Sequence, residues 1–514
     1  MSGPTSNPSA PSPTAEPIWL SRRAERAVLL AILAVAALAR WWRLDLMEFK
    51  ADEAQACRLA YQVIDALRGD APLPLTGLMA SVTVPNPPLF IYILALPLLV
   101  WPNPLAAALF IAGANVAAVA VCYLIGRRYF SPFVALGAAA LYALAPWAVI
   151  FSRKIWAQDF LPIVIGCFVL AAHSFLIDRQ PRSLAWLLIL AAAAVQIHFS
   201  ALILAGVLVV LFVAGRSAVR IRWLGIGLAA SLALYAPYFL HFVRTHGADF
   251  AHLGGWQNES ARLMPAGQRL LLALRYPLSV TGADETAILV GAQPAWALPF
   301  ALATGLGAWA GMIWLCVRDG SSPLFSARLM AAIWLVLPTL GLALSGAIPS
   351  PHYFIILYPL AFLGLAAALE KLGGQRRAVS IALLAICLLG YAGLDAAIFQ
   401  TVAERGGAPA DYGAAYAHKL AAVDFVLAEN PDRPFLFSDG SNPRGTLPPE
   451  YQFLVDWKTH GHAPVGPSPT RAYLLLDSFR STLSPAGENA TKGLRRSQFG
   501  PLTVFVVPLR PSPP

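Results

Sequence analysis

Residues 88 to 101 have the sequence PLFIYILALPLLVW, and whether this apolar run crosses a membrane decides the topology of the whole chain. The run has only about 14 residues, or roughly 21 Å of helix, against a hydrocarbon core near 30 Å. Prolines at positions 87, 88, 97, 102 and 104 bracket or interrupt it. We therefore predict an interfacial or re-entrant helix that does not span the bilayer.

The basic residues of the chain support that interpretation. They occur in clusters that lie between the other apolar runs. Cytoplasmic loops of membrane proteins are enriched in Lys and Arg, so such clusters mark one side of a bilayer. If residues 88–101 crossed, Arg127 and every later basic loop would change sides. The basic clusters are Arg22/Arg23/Arg26, Arg127/Arg128, Arg179/Arg182, Arg216/Arg220/Arg222, Arg318/Arg328 and Lys371/Arg376/Arg377.

With these clusters in the cytoplasm, the sequence predicts about eleven membrane-spanning helices, with the N-terminus inside and the C-terminus outside. They lie near residues 27–44, 104–126, 132–150, 160–177, 184–197, 199–215, 223–243, 297–317, 328–347, 353–370 and 378–400. Whether 184–197 and 199–215 form two spans stays open, because both are short and only the His198–Phe199 step separates them.

Composition also requires a membrane. Hydrophobic residues make up 58% of the chain and charged residues 12%, and the mean hydropathy is +0.62. A soluble chain carries about a quarter charged residues. The net charge of +10 comes mostly from the short basic loops, so it predicts membrane lipids rather than nucleic acid as partners. Four of the five cysteines lie in apolar runs, which argues against a disulfide framework.

The chain divides into three parts. Residues 1–26, rich in Pro, Ser and Thr at their start, predict a disordered cytoplasmic tail. Residues 27–400 form the membrane module, with an outer loop at 45–103. Residues 401–514 predict a small soluble α/β domain outside the membrane. They carry a helical pattern at 411–429 and β-like runs at 434–438, 472–477 and 502–508.

Ionisable residues gather in the predicted outer loops. Asp52 and Glu53 open an amphipathic stretch, and adjacent helical residues point about 100° apart, so the two cannot serve one site equally. The simpler alternative is a surface helix with acids in its first turn. Arg153 and Lys154 form the basic pair of a short outer hairpin that also holds Asp159. They predict an anionic partner, or else snorkel to lipid headgroups.

Motifs for metals and nucleotides are absent from the sequence. No HExxH or CxxC spacing marks a metal site, and lone histidines such as His198 are more often structural than metal ligands. There is neither a Walker A loop nor a GxGxxG turn, which argues against a soluble nucleotide donor. An outward-facing site without a nucleotide needs a donor that is supplied in the membrane.

Taken in order, these elements resemble the polytopic GT-C glycosyltransferases that use polyprenyl-phosphate sugars. Within them, the chain looks like the protein O-mannosyltransferase and aminoarabinose-transferase group, family 39. The resemblance covers residues 25 to 400. The matching motifs are Asp52-Glu53, Asn86-Pro87-Pro88-Leu89, Ser152-Arg153 with Asp159, and His352-Tyr353 followed by Tyr358-Pro359. Asn86 replaces a basic residue of the family pattern, and His352 stands where Arg is more common.

The resemblance implies a GT-C membrane fold in the plasma (inner) membrane, with an active site on the extracytoplasmic side. It implies an inverting transfer of a sugar from a polyprenyl-phosphate donor to an envelope lipid, glycan or protein. Asp52 would act as general base, with Glu53 beside it. Some members of the family use a divalent metal ion and others do not. The implied donor-phosphate ligands are Arg153, Lys154, His352 and Tyr353, the supporting residues are Asp159, Asn86 and His198, and the candidate metal ligands are Asp52 and Asp159.

Two other functional classes stay open. A transporter or lipid flippase would place polar residues and broken helices near the bilayer midplane, whereas here they cluster at the outer ends of the spans. A non-catalytic GT-C relative would share the architecture without the chemistry. A transfer assay with defined polyprenyl-phosphate sugars would distinguish these classes.

Overall fold

The computed structural model describes residues 20–509, except 81–82, 253–261, 282–293, 318–321, 346–347, 410–411, 432–433, 440–445, 462–470 and 480–490. Residues 1–19 of the predicted tail and the basic residue Arg318 lie outside the described residues. Over the described part of the chain there are 17 α-helices and six short strands, joined by 3-10 turns.

The helices fall into a membrane region and a C-terminal region. In the first are α1 (Arg22–Trp41), α2 (Ala51–Arg68), α3 (Leu89–Val100), α4 (Pro104–Tyr129), α5 (Pro132–Leu144), α6 (Pro146–Phe151), α7 (Leu161–Leu176), α8 (Ser183–Ile197), α9 (Leu204–Ala214), α10 (Ile221–Arg244), α11 (Ala266–Ser279), α12 (Ala297–Val317), α13 (Ser322–Leu344), α14 (Tyr358–Gly373) and α15 (Arg377–Arg405). In the second are α16 (Tyr416–Ala428) and α17 (Pro449–Lys458).

Several of these helices can cross a bilayer. Among the described residues, six helical segments are long and apolar enough to do so, and five shorter apolar helices accompany them. The chain is therefore a multi-pass membrane protein. Each of the eleven predicted spans corresponds to helical structure, while α11 was not predicted. The six segments are Pro104–Tyr129, Gln158–Leu176, Ile221–Arg244, Ala297–Cys316, Pro351–Gly373 and Arg377–Arg405.

Helix α3 covers the apolar run that decides the topology. It has 12 residues with Pro97 inside, which at 1.5 Å per residue is about 18 Å, well short of a hydrocarbon core. It packs between α2 and α4. Its length agrees with the prediction that it does not span.

The first helix starts earlier than the sequence predicted. Ser21 caps it, because the Ser21 hydroxyl accepts the Ala24 backbone N–H at 3.2 Å, and helical structure begins at Arg22. Residues 22–26 therefore lie in α1, which begins five residues before the predicted first span at 27–44. A serine at the N-cap with Glu25 in the first turn is a common helix start.

Helix α1 runs from one end of the bundle to the other, so its length gives the distance between the two ends. Near its start, Glu25 pairs with Arg127 at 2.7 Å, and near its end Arg153 donates to the Arg40 carbonyl at 3.0 Å. The 20 residues of α1 span about 30 Å. Arg127 and Arg153 therefore lie at opposite ends, as the predicted topology requires, and we call these the Arg127 end and the Arg153 end.

The C-terminal region forms a small α/β domain. Its four-stranded sheet has the order β3-β4-β6-β5, in which β3 pairs with β4 in parallel and the other pairs are antiparallel. The predicted runs correspond to β3, β4 and β6, whereas β5 and α17 were not predicted. The strands are β1 (Gly407–Ala408), β2 (Gly413–Ala414), β3 (Phe435–Asp439), β4 (Arg471–Asp477), β5 (Arg495–Phe499) and β6 (Leu502–Pro508).

This domain packs on the loop and helix that follow α1. Phe49 contacts Tyr416 and Phe453, with ring centroids 5.1 and 5.9 Å apart, and α17 lies against α2. Arg58 of α2 pairs with Asp456 of α17 at 3.3 Å. The C-terminal domain is therefore at the Arg153 end, on the same side of the bundle as Asp52.

Candidate active site

The predicted acidic pair occupies the first turn of α2, and its two members face different surroundings. Asp52 is exposed, whereas Glu53 is fully buried. The Glu53 Oε2 atom accepts the Lys50 backbone N–H at 2.8 Å, which caps the helix. The angle of about 100° between adjacent helical residues produces this division. Asp52 is the carboxylate that a ligand can reach.

Burial changes the acidity of both groups. It raises the pKa of Glu53 to about 7, with a further increase from nearby Glu48, while Lys154 and Lys50 oppose the shift. The surrounding protein also partly desolvates Asp52 and raises its pKa, again against Lys50 and Lys154. A base whose pKa lies closer to the working pH is better suited to proton transfer.

Lys154 lies at the centre of the charged groups near this turn. Its side chain is only 5% exposed, and its Nζ atom is 3.4 Å from Glu48 Oε2 and 3.2 Å from the centroid of the Trp156 ring. Lys50 Nζ pairs with the other oxygen of Glu48 at 2.5 Å. Glu48 thus bridges two ammonium groups, which compensates for removing them from water.

Arg153, the neighbour of Lys154, has a different set of partners. Its Nη1 atom donates to the carbonyls of Ala39 and Arg40, and its Nη2 atom to that of Arg43, each at 3.0 Å. The guanidinium also lies 4.6 Å from the centroid of the Phe399 ring. The last carbonyls of a helix lack partners within it, so Arg153 caps the end of α1. Its predicted role as a donor-phosphate ligand remains a prediction.

Histidines and aromatic residues from two further segments meet the same hairpin. The His352 ring lies 5.3 Å from Trp156, and the His198 ring lies 6.4 Å from His352 and 5.8 Å from Tyr353. His198 Nδ1 accepts the Ser200 backbone N–H at 3.2 Å, and burial lowers the pKa of His198 to about 4. This histidine is therefore neutral at pH 7. Of the predicted residues, Lys154 and His352 therefore contact Trp156, and His198 and Tyr353 lie beside His352.

Asp159 is buried beside this cluster. Its backbone carbonyl accepts the Asn115 side-chain amide at 2.7 Å, and Lys154 and Glu53 lie within electrostatic range of its carboxylate. Neither carboxylate oxygen has a hydrogen-bond partner in the described structure. Within that same part of the chain, no group of three or more His, Cys, Asp or Glu residues could hold a metal ion. A metal held by Asp52 and Asp159 stays an untested prediction.

Asn86 is placed in the loop before α3. Its backbone N–H and its side-chain amide both donate to the Leu78 carbonyl, at 2.8 and 3.1 Å, and its own carbonyl accepts the Gly77 N–H at 2.6 Å. These contacts close the loop between residues 77 and 86. They give Asn86 a structural role in the loop, and none of them joins it to Lys154 or to the residues around Lys154.

Sequence reasoning missed three residues of the site. Glu48 was one of several acids in the outer loop, Lys50 precedes the acidic pair, and Trp156 lies between Lys154 and Asp159. The position of Glu48 and Lys50 just before the acidic pair was the available signal. It could not show that this segment contacts the hairpin at 153–156, because about a hundred residues separate the two segments.

Comparison with solved structures identifies the architecture. Two crystal structures of ArnT from Cupriavidus metallidurans match this chain, one bound to undecaprenyl phosphate and one in the apo state. Their TM-scores are 0.54 and 0.55 at 14% sequence identity, and the matches cover 94% of this chain and 97% and 98% of ArnT. The chain has the GT-C fold. This confirms the fold class predicted from the sequence.

A weaker match is the oligosaccharyltransferase AglB from Archaeoglobus fulgidus, in complex with an inhibitory peptide and a dolichol-phosphate. Its TM-score is 0.47 at 14% identity, over 87% of this chain and 65% of AglB. No family model matches the sequence, and no curated protein matches it. At these identities the comparisons establish the fold and not the chemistry.

Proposed function

We propose that this protein is an inverting membrane glycosyltransferase that moves a sugar from a polyprenyl-phosphate donor to an extracytoplasmic acceptor. The observation that carries the proposal is the presence of an exposed carboxylate, Asp52, and a buried ammonium, Lys154, at the same end of a GT-C bundle. Lys154 is ion-paired with Glu48, which lies four residues before Asp52. The ArnT structure bound to undecaprenyl phosphate supports the class of donor. The acceptor is an envelope lipid, glycan or protein.

In this mechanism the base and the leaving group lie on opposite sides of the anomeric carbon. Asp52 takes the proton of the acceptor hydroxyl or amine as that atom attacks. The new bond forms at the anomeric carbon while the bond to the phosphate oxygen breaks, and the electron pair leaves with the polyprenyl phosphate. Lys154 supplies fixed positive charge for the developing phosphate anion.

The position of the charged cluster favours an enzyme over a transporter. Glu48, Lys50 and Asp52 precede or open α2, and Lys154 belongs to a hairpin at the same end of the bundle. Transporters place their ionisable binding residues near the bilayer midplane, between broken helices. A charged cluster at the end of the bundle instead suits a reaction at the membrane surface, between a lipid headgroup and a soluble or surface-bound acceptor.

The test is a transfer assay on the purified full chain in detergent. Polyprenyl phosphates carrying hexose, pentose or aminopentose are supplied with envelope extract as acceptor, and release of free polyprenyl phosphate is measured. We expect turnover of at least one donor by the parent and by Arg182→Gln, which changes an exposed residue, but not by Asp52→Asn. Equal release by the parent and by Asp52→Asn would contradict the proposal, as would no release from any donor.

A further inference from the structure

The C-terminal domain contacts the backbone of the short segment that leads into α2. Three carbonyls of this segment accept hydrogen bonds from the domain. Leu46 accepts from the Tyr412 hydroxyl, Met47 from the Tyr416 backbone N–H at 2.9 Å, and Phe49 from Lys419 Nζ at 2.7 Å. All three donors lie in the first turn of α16 or just before it.

Lys419 is the unusual member of this set because it places a charge in a buried interface. Its side chain is fully buried, and its Nζ atom pairs with Glu450 of α17 at 3.1 Å. It also lies 5.2 Å from the centroid of the Tyr451 ring. A well-packed apolar pair at such a position is often as stable as a buried ion pair. Stability alone therefore does not account for a lysine that reaches a carbonyl of another domain.

The segment it holds contains the site. Glu48 lies between Met47 and Phe49, Lys50 follows, and Asp52 is in the next turn. At the other end of the same connection, Arg153 holds the Arg43 carbonyl. The connection from α1 to α2 is thus fixed on one side by the membrane hairpin and on the other by the C-terminal domain.

We infer that Lys419 is a positioning residue, through which the C-terminal domain sets the placement of Glu48, Lys50 and Asp52 for the transfer reaction. The inference rests on the proposed function for its effect on catalysis. Its structural part, that Lys419 immobilises residues 46–53, stands independently of which reaction occurs. Small displacements of catalytic groups have large kinetic effects, since a misplacement of about 1 Å can lower the rate by about a hundredfold.

Three variants separate positioning from folding. Lys419→Met/Glu450→Gln removes the contact to Phe49 without leaving an unpaired buried charge. Tyr412→Phe removes a single hydroxyl from the same interface and preserves the shape of the side chain. Lys458→Met is the matched control, because the exposed Lys458 pairs with Asp424 and links the same two helices, α16 and α17, without touching residues 46–49.

Two measurements are made on each purified full-length variant: hydrogen exchange of the backbone amides of residues 46–54, and kcat and KM for the donor. For Lys419→Met/Glu450→Gln we expect faster exchange in this segment alone. We also expect kcat to fall by about ten- to a hundredfold, because Asp52 lies in the loosened segment. Donor KM should change less than kcat, because Lys154, although it pairs with Glu48, is also held by its own hairpin against the Trp156 ring. Tyr412→Phe should change both quantities in the same direction by less, and Lys458→Met neither.

The exchange result decides the inference even where no transfer is seen. If the parent turns over no donor, the proposed function fails, while faster exchange in the double variant still supports the positioning role. Unchanged exchange and unchanged kcat in both the double variant and Tyr412→Phe would overturn the inference. So would an equal effect of Lys458→Met, because the interface would then act only through the stability of the domain.

Discussion

Asp52 and Glu53 are neighbours in sequence, yet one is exposed and the other is fully buried with its Oε2 on the Lys50 N–H. We therefore expect Asp52→Asn to lower kcat by about 10²–10⁴-fold, the usual contribution of a general base, while donor binding and folding persist. Glu53→Gln keeps the helix cap and should retain most of the activity. Single-turnover transfer assays on both variants make the comparison.

The opposite pattern has a clear meaning. Should Glu53→Gln abolish transfer while Asp52→Asn stays close to the parent, the buried acid is the base and Asp52 is a surface residue. If both variants match an active parent, the pair is only a helix start, and the function carried over from the resemblance fails.

Glu53 also predicts how stability depends on pH. Its pKa in the folded protein, about 7, is above the 4.5 of a free glutamate, so the folded state holds the proton more tightly than the unfolded chain does. The resulting stabilisation is fully present below about pH 4.5 and is lost as the pH rises through about 7. The thermal unfolding midpoint should therefore decline across this window.

Glu53→Gln should flatten this part of the profile, because glutamine does not titrate. Glu404→Gln is the control, since Glu404 is an exposed residue of α15, and it should keep the parental slope. An unchanged slope in Glu53→Gln would mean that other groups control the pH dependence.

At the level of elements, the hairpin between α6 and α7 holds two basic residues that have different partners and different expected roles. Arg153 donates to three carbonyls at the end of α1, whereas Lys154 faces Glu48 and Trp156. We expect Arg153→Met to lower the free energy of unfolding by at least about 1.5–3 kcal/mol, the contribution of a hydrogen bond to a charged group. Chemical or thermal unfolding in detergent measures this loss.

Lys154→Met should instead weaken donor binding. Losing a charge-assisted contact to phosphate costs about 1.5–3 kcal/mol, or roughly ten- to a hundredfold in affinity, and Glu48 keeps Lys50 as its partner. Titration with a fluorescent polyprenyl phosphate measures the affinity, with the exposed Arg182→Met as control. Unchanged affinity in Lys154→Met would place the phosphate elsewhere.

The elements themselves were largely predictable where apolar periodicity is long. The membrane helices and strands β4 and β6 follow runs of apolar residues that the sequence displays directly. Strand β5 was missed because its sequence, RRSQF, is polar and its extended shape comes from pairing with β6. Helix α17 was missed because its ten residues mix charged and apolar positions, and packing against α2 stabilises it.

For the whole molecule, exposed arginines at the two ends of the bundle allow a direct test of the topology. Arg182 is exposed in the loop that joins α7 and α8, near Asp178, which pairs with Arg128 at the Arg127 end. Arg68 and Arg405 are exposed at the ends of α2 and α15. In intact cells, a membrane-impermeant maleimide should label Arg68→Cys and Arg405→Cys but not Arg182→Cys, relative to the parent. Labelling of all three from one side would contradict the predicted topology.

The site was predictable in its parts but not in its arrangement. Loop position and charge singled out Asp52, Lys154, His198 and His352 as candidates. Lys154 and His352 meet at Trp156, and His198 lies beside His352, which depends on packing among three segments that lie far apart in the chain. The same limitation applies to Arg153. Its charge and loop position suggested a phosphate ligand, whereas its contacts in the structure are those of a helix cap. A charged residue in sequence does not show which partner the fold provides.

The contact between Lys419 and Phe49 also has a consequence for biosynthesis. The two residues are 370 positions apart, so a ribosome that adds about 5–20 residues per second makes the loop roughly 20–70 s before the group that holds it. During that interval the membrane module is inserting while residues 46–49 still lack the donors from Tyr412, Tyr416 and Lys419. A chain that stalls or is cut before residue 412 therefore has a membrane-embedded bundle without a fixed acidic pair. If Asp52 is the base of the proposed reaction, we expect completion of synthesis to be the step that assembles the site.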